Sequence, residues 1–476
     1  MPDPDRTHTD PLSRVLEAGL AAVVVLAPLP FGAVGPAGRL ALEVLSFALL
    51  AIWIARALVR ATPLPPPLCS LALAGLLLLG LVQSLPLGPA WIATISPLSA
   101  ETRQASRTTG PALDAERRIL EVDPAMLESP ETVSLDPLAT ASAVRTGAAL
   151  VALLLVATTV VATRGATLLV LALLMSAAFQ ALYGTLVLAS GNPVIWHVPK
   201  QHYLDCATGT FVNRNHFAGF LAAALPPGLA LAVRSARSMP DGKTWRQRLL
   251  SAASPAGSRT AFLGLLVACG FAGLLLSFSR AGIALGIGAL VLTALSLGRR
   301  ALGRPVLGVA LVALVGALPL LQIGAERLAA RYARAGEDLA SPAGRAAVWK
   351  DTSAMIRRAP LLGVGFGSFD AAYPIFRSPE VRLHYDHAHN DALQAVAEGG
   401  IVAGALLLLV LAPVSREVVR SLGRERGTLA VGIAAGATAF FLHALIDFNF
   451  HIPSNAATGA ILAGSLLALP WNDGNP

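Results

Sequence analysis

Apolar runs of roughly one bilayer's length, each closed by a short polar or charged stretch, recur from one end of the chain to the other. They fall at 15–35, 40–59, 68–87, 143–163, 166–189 and 216–233, and again at 260–278, 281–298, 305–323, 394–414, 427–446 and 455–471. These twelve runs predict helices, because hydrocarbon offers a backbone amide no partner and the alternating polar positions of a membrane barrel are absent. The fold class is therefore an all-α polytopic membrane protein with about 12 transmembrane helices and two long loops on one side. Runs that contain Pro28 and Pro226 are expected to be kinked or split.

The polar stretches divide the chain further. Residues 1–87 hold three spans, 88–142 form a long loop, 143–323 hold spans four to nine, 324–393 form a larger loop, and 394–476 hold the last three spans. Arg234, Arg237, Lys243, Arg246, Arg248 and Arg259 lie in one short connection, Arg299, Arg300 and Arg304 in another, and Arg416, Arg420, Arg424 and Arg426 in a third. Even numbers of spans separate the three, so they share a side, and the bias of Lys and Arg places that side in the cytoplasm together with both termini. The first 14 residues are polar and the apolar run from Val15 continues into further spans, which predicts an uncleaved first anchor. Both long loops then face outward. The first is rich in Ser, Thr, Pro and acids and is expected to be irregular with short helices. The second opens on Ala325–Ala335, with Arg327, Arg331 and Arg334 at helical spacing, as an interfacial amphipathic helix would. An external segment of that size points to function.

Composition agrees: 55% of the 476 residues are apolar and 13% charged, against about a quarter charged in soluble domains. The net charge of +8 comes from basic residues scattered singly between apolar runs, with no stripe for nucleic acid. Membrane lipid and phosphate are the partners that such a pattern fits. Cys69 and Cys269 fall inside spans and Cys206 stands in a polar loop, so no disulfide framework is implied.

The densest chemistry closes the second loop, where His384, Asp386, His387, His389 and Asp391 crowd into eight residues of a chain with nine histidines. Three readings stand there. Polar residues collect at a span's mouth; His387, His389 and Asp391 echo the H-x-H-x-D of metallo-β-lactamases, although Ala392 stands where a further histidine is needed; or an imidazole accepts a hydroxyl proton near neutral pH. If a helix starts near His389, then Leu393, Val396 and Gly400 follow on its face and Glu398 is turned half a revolution away. Glu398 then serves another partner, either as a packing ion pair or in catalysis. Arg214 precedes the sixth span and Arg280 sits at the tight turn between the seventh and eighth, both on the external side where positive-inside bias does not ask for them. A guanidinium grips phosphate oxygens through its planar fork. Gly363, Gly365 and Gly367 do not make a nucleotide loop, since no strand precedes them; they predict a turn that lets backbone approach another segment or the substrate, with Arg345 as a third cation.

Five segments, taken in order, resemble the O-antigen ligase and polymerase superfamily of bacterial membrane glycan transferases. They are Phe211-Val212-Asn213-Arg214-Asn215-His216, Ser277-Phe278-Ser279-Arg280-Ala281-Gly282, Gly344-Arg345 with Trp349, Pro360-Leu361-Leu362-Gly363-Val364-Gly365, and His389-Asn390-Asp391-Ala392-Leu393-Gln394 with Glu398-Gly399-Gly400. The resemblance spans residues 205–470 and implies transfer of a glycan from undecaprenyl diphosphate to an acceptor sugar, with no metal and no cofactor. The transfer takes place at the periplasmic face of the bacterial inner membrane. A ligase uses lipid A core or another glycan as acceptor; a polymerase extends a growing repeat. The resemblance puts Arg214 and Arg280 on the diphosphate and makes His389 the base, with His387 an extra imidazole that leaves the choice of base open. Asn213, Asn215, Asn390 and Glu398 support them. A transporter of lipid-linked glycans is the alternative from another class, and it would place ionisable groups near mid-membrane rather than at one face.

Overall fold

Proline punctuates this chain as a helix opener. The computed structural model describes residues 10–108, 131–239, 244–298, 344–423 and 426–468. Its helices are α1 (Pro11–Leu26), α2 (Pro36–Val59), α3 (Pro67–Ser84), α4 (Pro89–Ile95), α5 (Pro97–Thr108), α6 (Pro137–Arg164), α7 (Thr167–Ala189), α8 (Arg214–Arg237), α9 (Trp245–Ala252) and α10 (Pro255–Leu276). They continue as α11 (Arg280–Gly298), α12 (Arg345–Arg358), α13 (Phe369–Ala372), α14 (Asp391–Leu422), α15 (Thr428–Ala444) and α16 (Pro453–Ala468). Eight of these open on proline, whose missing N–H is one that no helix start can satisfy internally. The one sheet among the described residues, unforeseen from the sequence, is a short antiparallel hairpin pairing Val194 with Pro199 and Ile195 with Val198.

Among the described residues, eight helices are long and apolar enough to cross a membrane: α2, α3, α6, α7, α8, α10, α11 and α14. The runs expected at 15–35, 427–446 and 455–471 form helices of 16, 17 and 16 residues. The run at 305–323 and the helix expected at 325–335 lie outside the described residues. Pro28 does split its run, since α1 stops at Leu26 and a 3-10 turn follows at Phe31–Ala33. Pro226 does not, because α8 passes through Pro226 and Pro227 as one helix.

The described residues of Met1–Pro67, Ala149–Ala335 and Ala412–Pro476 form one compact unit, and those of Leu68–Ala148 and Gly336–Leu411 a second, so the units cut across the consecutive segments expected from the sequence. In the first unit α8 is the buried axis, packed by α7, α10, α11 and α15. Pro227 leaves the Ala223 carbonyl without its helical partner. Gly436 of α15 closes over that carbonyl, and a Cβ on Gly436 would stand 2.3 Å from the oxygen. Close backbone approach through small residues is the usual way membrane helices tighten their packing.

The second unit is organised by a break. Gly400 interrupts α14 with φ 67° and ψ −168°, a conformation that glycine alone adopts without strain. The freed backbone groups on either side are taken up by the loop that follows α12. Val364 N–H donates to Ala397 O at 3.2 Å, Gly365 N–H to Glu398 O at 2.9 Å, and Ile401 N–H to Pro360 O at 2.8 Å. Gln83, buried in apolar α3, donates through Nε2 to Leu362 O (2.6 Å) and Glu398 O (2.8 Å), and its Oε1 accepts from Phe366 N–H at 3.1 Å. The glycines thus let one segment approach another, as expected: Gly363 lies against the backbone of Glu398 and Gly399 in the broken helix, Gly365 against Ser134, and Gly367 against the Ala139 carbonyl.

Candidate functional site

In the first unit, two arginines open neighbouring helices. Asn213 is extended and caps α8, its side chain accepting from Asn215 N–H at 2.8 Å, so Arg214 becomes the first helical residue. Its guanidinium lies 5.0 Å over the Tyr203 ring, and its buried Nε has no hydrogen-bond partner. Arg280 opens α11 after the turn Ser277-Phe278-Ser279, in which Phe278 takes φ 49°. Ser279 Oγ donates to Asn215 Oδ1 at 2.9 Å, tying the residue beside Arg280 to the residue beside Arg214. Cations are disfavoured at helix N-termini, where the backbone dipoles already present positive charge. Both arginines stand at such a start, where the backbone dipoles favour an anion.

A buried network holds this junction from below. Asn215 Nδ2 donates to Asp447 Oδ2 at 2.9 Å, and Asp447 Oδ1 accepts from Phe448 N–H at 3.0 Å. His216 Nε2 stands 3.7 Å from Asp447 Oδ1, with its ring edge-on to Phe448. Asn455 Nδ2 donates to His216 O (2.9 Å) and to Asn449 Oδ1 (3.2 Å), which extends the network to α16. Beside Arg214, Lys200 Nζ donates to Cys206 O at 3.1 Å. Burial pushes the Lys200 ammonium pKa down and the Cys206 thiol pKa up, the latter against the pull of Arg214 and Lys200. Both residues line a cavity of about 180 Å³ with Val187, Leu188 and Leu204.

In the second unit, the histidine segment is a coil pinned from several directions. Trp349 Nε1 of α12 donates to Ala388 O at 2.9 Å, and Ala388 N–H donates to Gln394 Oε1 at 3.0 Å. The helix starts at Asp391, later than expected, because Asn390 caps it: its Oδ1 accepts from Leu393 N–H at 3.0 Å. His389 stays outside the helix in the left-handed region, φ 51°, a conformation that costs a side-chain-bearing residue roughly 1–3 kcal/mol unless its surroundings impose it. Its ring lies edge-on to Tyr385 at 5.7 Å. Burial raises the Tyr385 phenol pKa and the Arg345 guanidinium pulls it back, so Arg345 shares this neighbourhood. His384, fully at the surface, pairs with Asp370 at 3.0 Å.

The partners that Glu398 meets include backbone amides. Its Oε2 accepts from Gly367 N–H (2.9 Å) and its Oε1 from Phe369 N–H (3.2 Å) and Gln394 Nε2 (3.0 Å). Gln394 Nε2 also lies 3.2 Å from His387 Nδ1. Gly400, counted from the sequence as part of the His389 face, is instead the break in the helix. The site residues therefore fall in two groups. Asn213, Arg214, Asn215 and Arg280 gather in the first unit, whereas Arg345, His387, His389, Asn390 and Glu398 gather in the second. Among the described residues no three of His, Cys, Asp and Glu group as metal ligands would.

Residues 252–408 match the family model described as O-Antigen ligase. That segment is similar to the O-antigen ligase family. The matched segment takes in Arg280, Arg345, His387, His389, Asn390 and Glu398, while Asn213, Arg214 and Asn215 precede it. No curated protein matches the chain. The match indicates glycan transfer of the O-antigen ligase or polymerase type, and the apolar helices around it point to a multi-pass membrane protein.

Several polar residues of these two networks were not singled out from the sequence. Asp447 sits between two apolar runs and is flanked by His443, Asn449 and His451, a polar density that composition alone flags. Gln83 is one amide in an otherwise apolar run. Lys200 gave no signal beyond its charge.

Proposed function

We propose that the protein transfers a glycan from undecaprenyl diphosphate to an acceptor sugar of the lipid A core type, at the periplasmic face of the bacterial inner membrane and without a metal. The observation that carries this reading is the 2.9 Å bond between Ser279 and Asn215, which holds Arg214 and Arg280 at adjacent helix starts. A leaving diphosphate gathers negative charge as its bond to the sugar breaks, and fixed cations stabilise it without reorganising. In the transfer the acceptor hydroxyl oxygen attacks the anomeric carbon, the bond from that carbon to the phosphate oxygen breaks, and the diphosphate leaves with the electron pair. His389 takes the hydroxyl proton. Arg214 and Arg280 hold the diphosphate, with Arg345 as a third cation.

The orientation draws support from the first unit. Arg234 donates to Thr167 Oγ1 and Arg237 to Thr428 Oγ1, so the basic end of α8 meets the starts of α7 and α15. Twenty residues of helix, about 30 Å, separate Arg234 from Arg214. On this reading the Arg234 end is cytoplasmic, both termini lie with it, and α1, α15 and α16 cross the membrane alongside the eight longer helices.

Reconstitution into vesicles with a lipid-linked oligosaccharide and candidate acceptors tests the proposal. The expected product is one glycan joined to the acceptor, formed equally well with a chelator present. Extension of the glycan on its own carrier would make the protein a polymerase. Movement of the lipid-linked glycan across the bilayer with no product joined to anything would defeat the transferase reading.

A further inference from the structure

The loop between α7 and α8, residues 190–213, is pinned along its length. Trp196 and Tyr203 take positive φ, 57° and 58°, a conformation that fixed surroundings must sustain in a residue with a side chain. Trp196 N–H donates to the Tyr183 hydroxyl of α7 at 2.6 Å and its indole Nε1 to Leu29 O at 2.9 Å, while the Arg214 guanidinium covers the Tyr203 ring. Lys200 lies between these two anchors.

The Lys200 ammonium is a charge that the described residues do not neutralise. Its Nζ donates to Cys206 O at 3.1 Å. Burial lowers its pKa against the pull of Cys206 and Asp205, and Asp205 forms no ion pair with it among the described residues. Nor is the cation used at the end of α7, where helix carbonyls would attract it. The Leu186 and Leu188 carbonyls accept from Ser190 N–H and Gly191 N–H, and the Val187 carbonyl from Ser190 Oγ. Lys200 instead lines the cavity of about 180 Å³, whose other walls include Val187, Leu188, Pro193 and Leu204.

Cys206 joins that cavity to the first arginine. Its carbonyl accepts from Lys200, and its thiol meets the Arg214 guanidinium, whose buried Nε has no hydrogen-bond partner. The chain thus sets an apolar wall, an ammonium and a guanidinium in succession. A polyprenyl diphosphate carries hydrocarbon, phosphate and phosphate in the same order, and a lysine binds phosphate as a point charge. Resting on the transferase reading above, we propose that Lys200 is a further donor-binding residue, its ammonium on the phosphate that carries the polyprenyl chain and the first isoprene unit against Val187, Leu188 and Leu204. Arg214 and Arg280 then hold the phosphate bonded to the sugar.

The full chain in nanodiscs of zwitterionic lipid, probed with a labelled polyprenyl diphosphate that bears no sugar, tests the site without requiring transfer. Lys200→Met and Lys200→Gln should each weaken binding about tenfold, the worth of one charge-assisted contact, and Lys200→Arg should keep most of it. Glutamine can still donate to the Cys206 carbonyl, so native binding by Lys200→Gln would reduce Lys200 to a pin for the loop and overturn the proposal, as would native binding by Lys200→Met. Leu204→Asn should weaken the polyprenyl compound and leave inorganic diphosphate, the second probe, unchanged; weakening of both or of neither overturns the isoprene assignment. Anionic phospholipid added to the nanodisc separates the two sources of a lipid phosphate. If it abolishes the dependence on Lys200, the site belongs to a bilayer headgroup and the donor assignment is wrong. In transfer, the Lys200 variants should raise KM for the donor about tenfold with kcat near native. Binding that depends on Lys200 in a protein that transfers no glycan would sink the proposed function and leave the site standing, whereas transfer with a native donor KM in Lys200→Met would do the reverse.

Discussion

The two units build their polar sites by opposite means. In the first, charge is placed at the ends of regular helices: Arg214 and Arg280 each open one, and a caps-and-amides network of Asn213, Asn215 and Ser279 sets their spacing. In the second, a helix is broken at Gly400 and the groups released are used to hold a coil, so that His387 is reached through Glu398 and Gln394. Helix ends carry backbone dipoles that favour an anion, whereas a pinned coil holds its side chains by hydrogen bonds from distant elements. The contrast separates a part suited to binding charge from a part suited to moving a proton.

Replacing His389 strikes the second part hardest. His389→Gln should lower transfer by 10² to 10⁴, the usual worth of a positioned general base, with normal amounts of protein in the membrane. Turnover with a lipid-linked oligosaccharide in vesicles measures it, and a loss below tenfold would remove the division of labour. Gly400→Ala should cost stability rather than chemistry. An added Cβ would stand 2.1 Å from the Leu361 carbonyl oxygen and φ is positive, so the penalty is about 3 kcal/mol or more, read as a fall in unfolding midpoint in detergent.

Arg214→Ala and Arg280→Ala test the first part. Each removes a charge-assisted contact worth about 1.5–3 kcal/mol, a loss of roughly ten- to a hundredfold carried mainly by KM for the donor, and lysine should restore less than arginine because it lacks the fork. Asp447→Leu leaves the half-buried Asn215 amide without this acceptor, at about 1 kcal/mol. It should loosen the junction between the two arginine-bearing helix starts, read as a rise in KM for the donor smaller than that of either arginine variant. The smallest effect belongs to Asp10. Burial works against its charged form, but hydrogen bonds from Ser13 and Arg56 prevail and hold its pKa below the usual carboxylate value of 3.8. Its contribution is present above the unfolded-state pKa and is lost as pH falls through the folded one. Asp10→Asn should therefore narrow the stability gap between pH 6 and pH 3, measured by unfolding at the two values.

Helix positions were legible in the sequence because lipid enforces them. Runs such as 166–189 and 216–233 match α7 and α8 to within a few residues, and Arg214, Arg280 and His389 stood out as polar residues at span mouths. What stayed hidden depends on contacts distant in the chain. The separation between Gln83 and Glu398 is 315 residues, and that between Asn215 and Asp447 is 232. No local period encodes either. The start of α14 was misplaced by two residues because Asn390, read as a supporting site residue, is the cap that delays it. Pro226 did not split its run, because α8 continues through both prolines as one helix.

The indole of Trp349 holds the carbonyl of Ala388 from 39 positions away in the chain. A random mutagenesis screen for lost surface polysaccharide should accordingly recover alleles at Trp349, and at Gln83 and Gln394, that mimic damage to the histidines without altering a single group that meets the sugar. Sorting such alleles by whether a second-site change in the coil restores them would separate the frame of the reaction from its instruments.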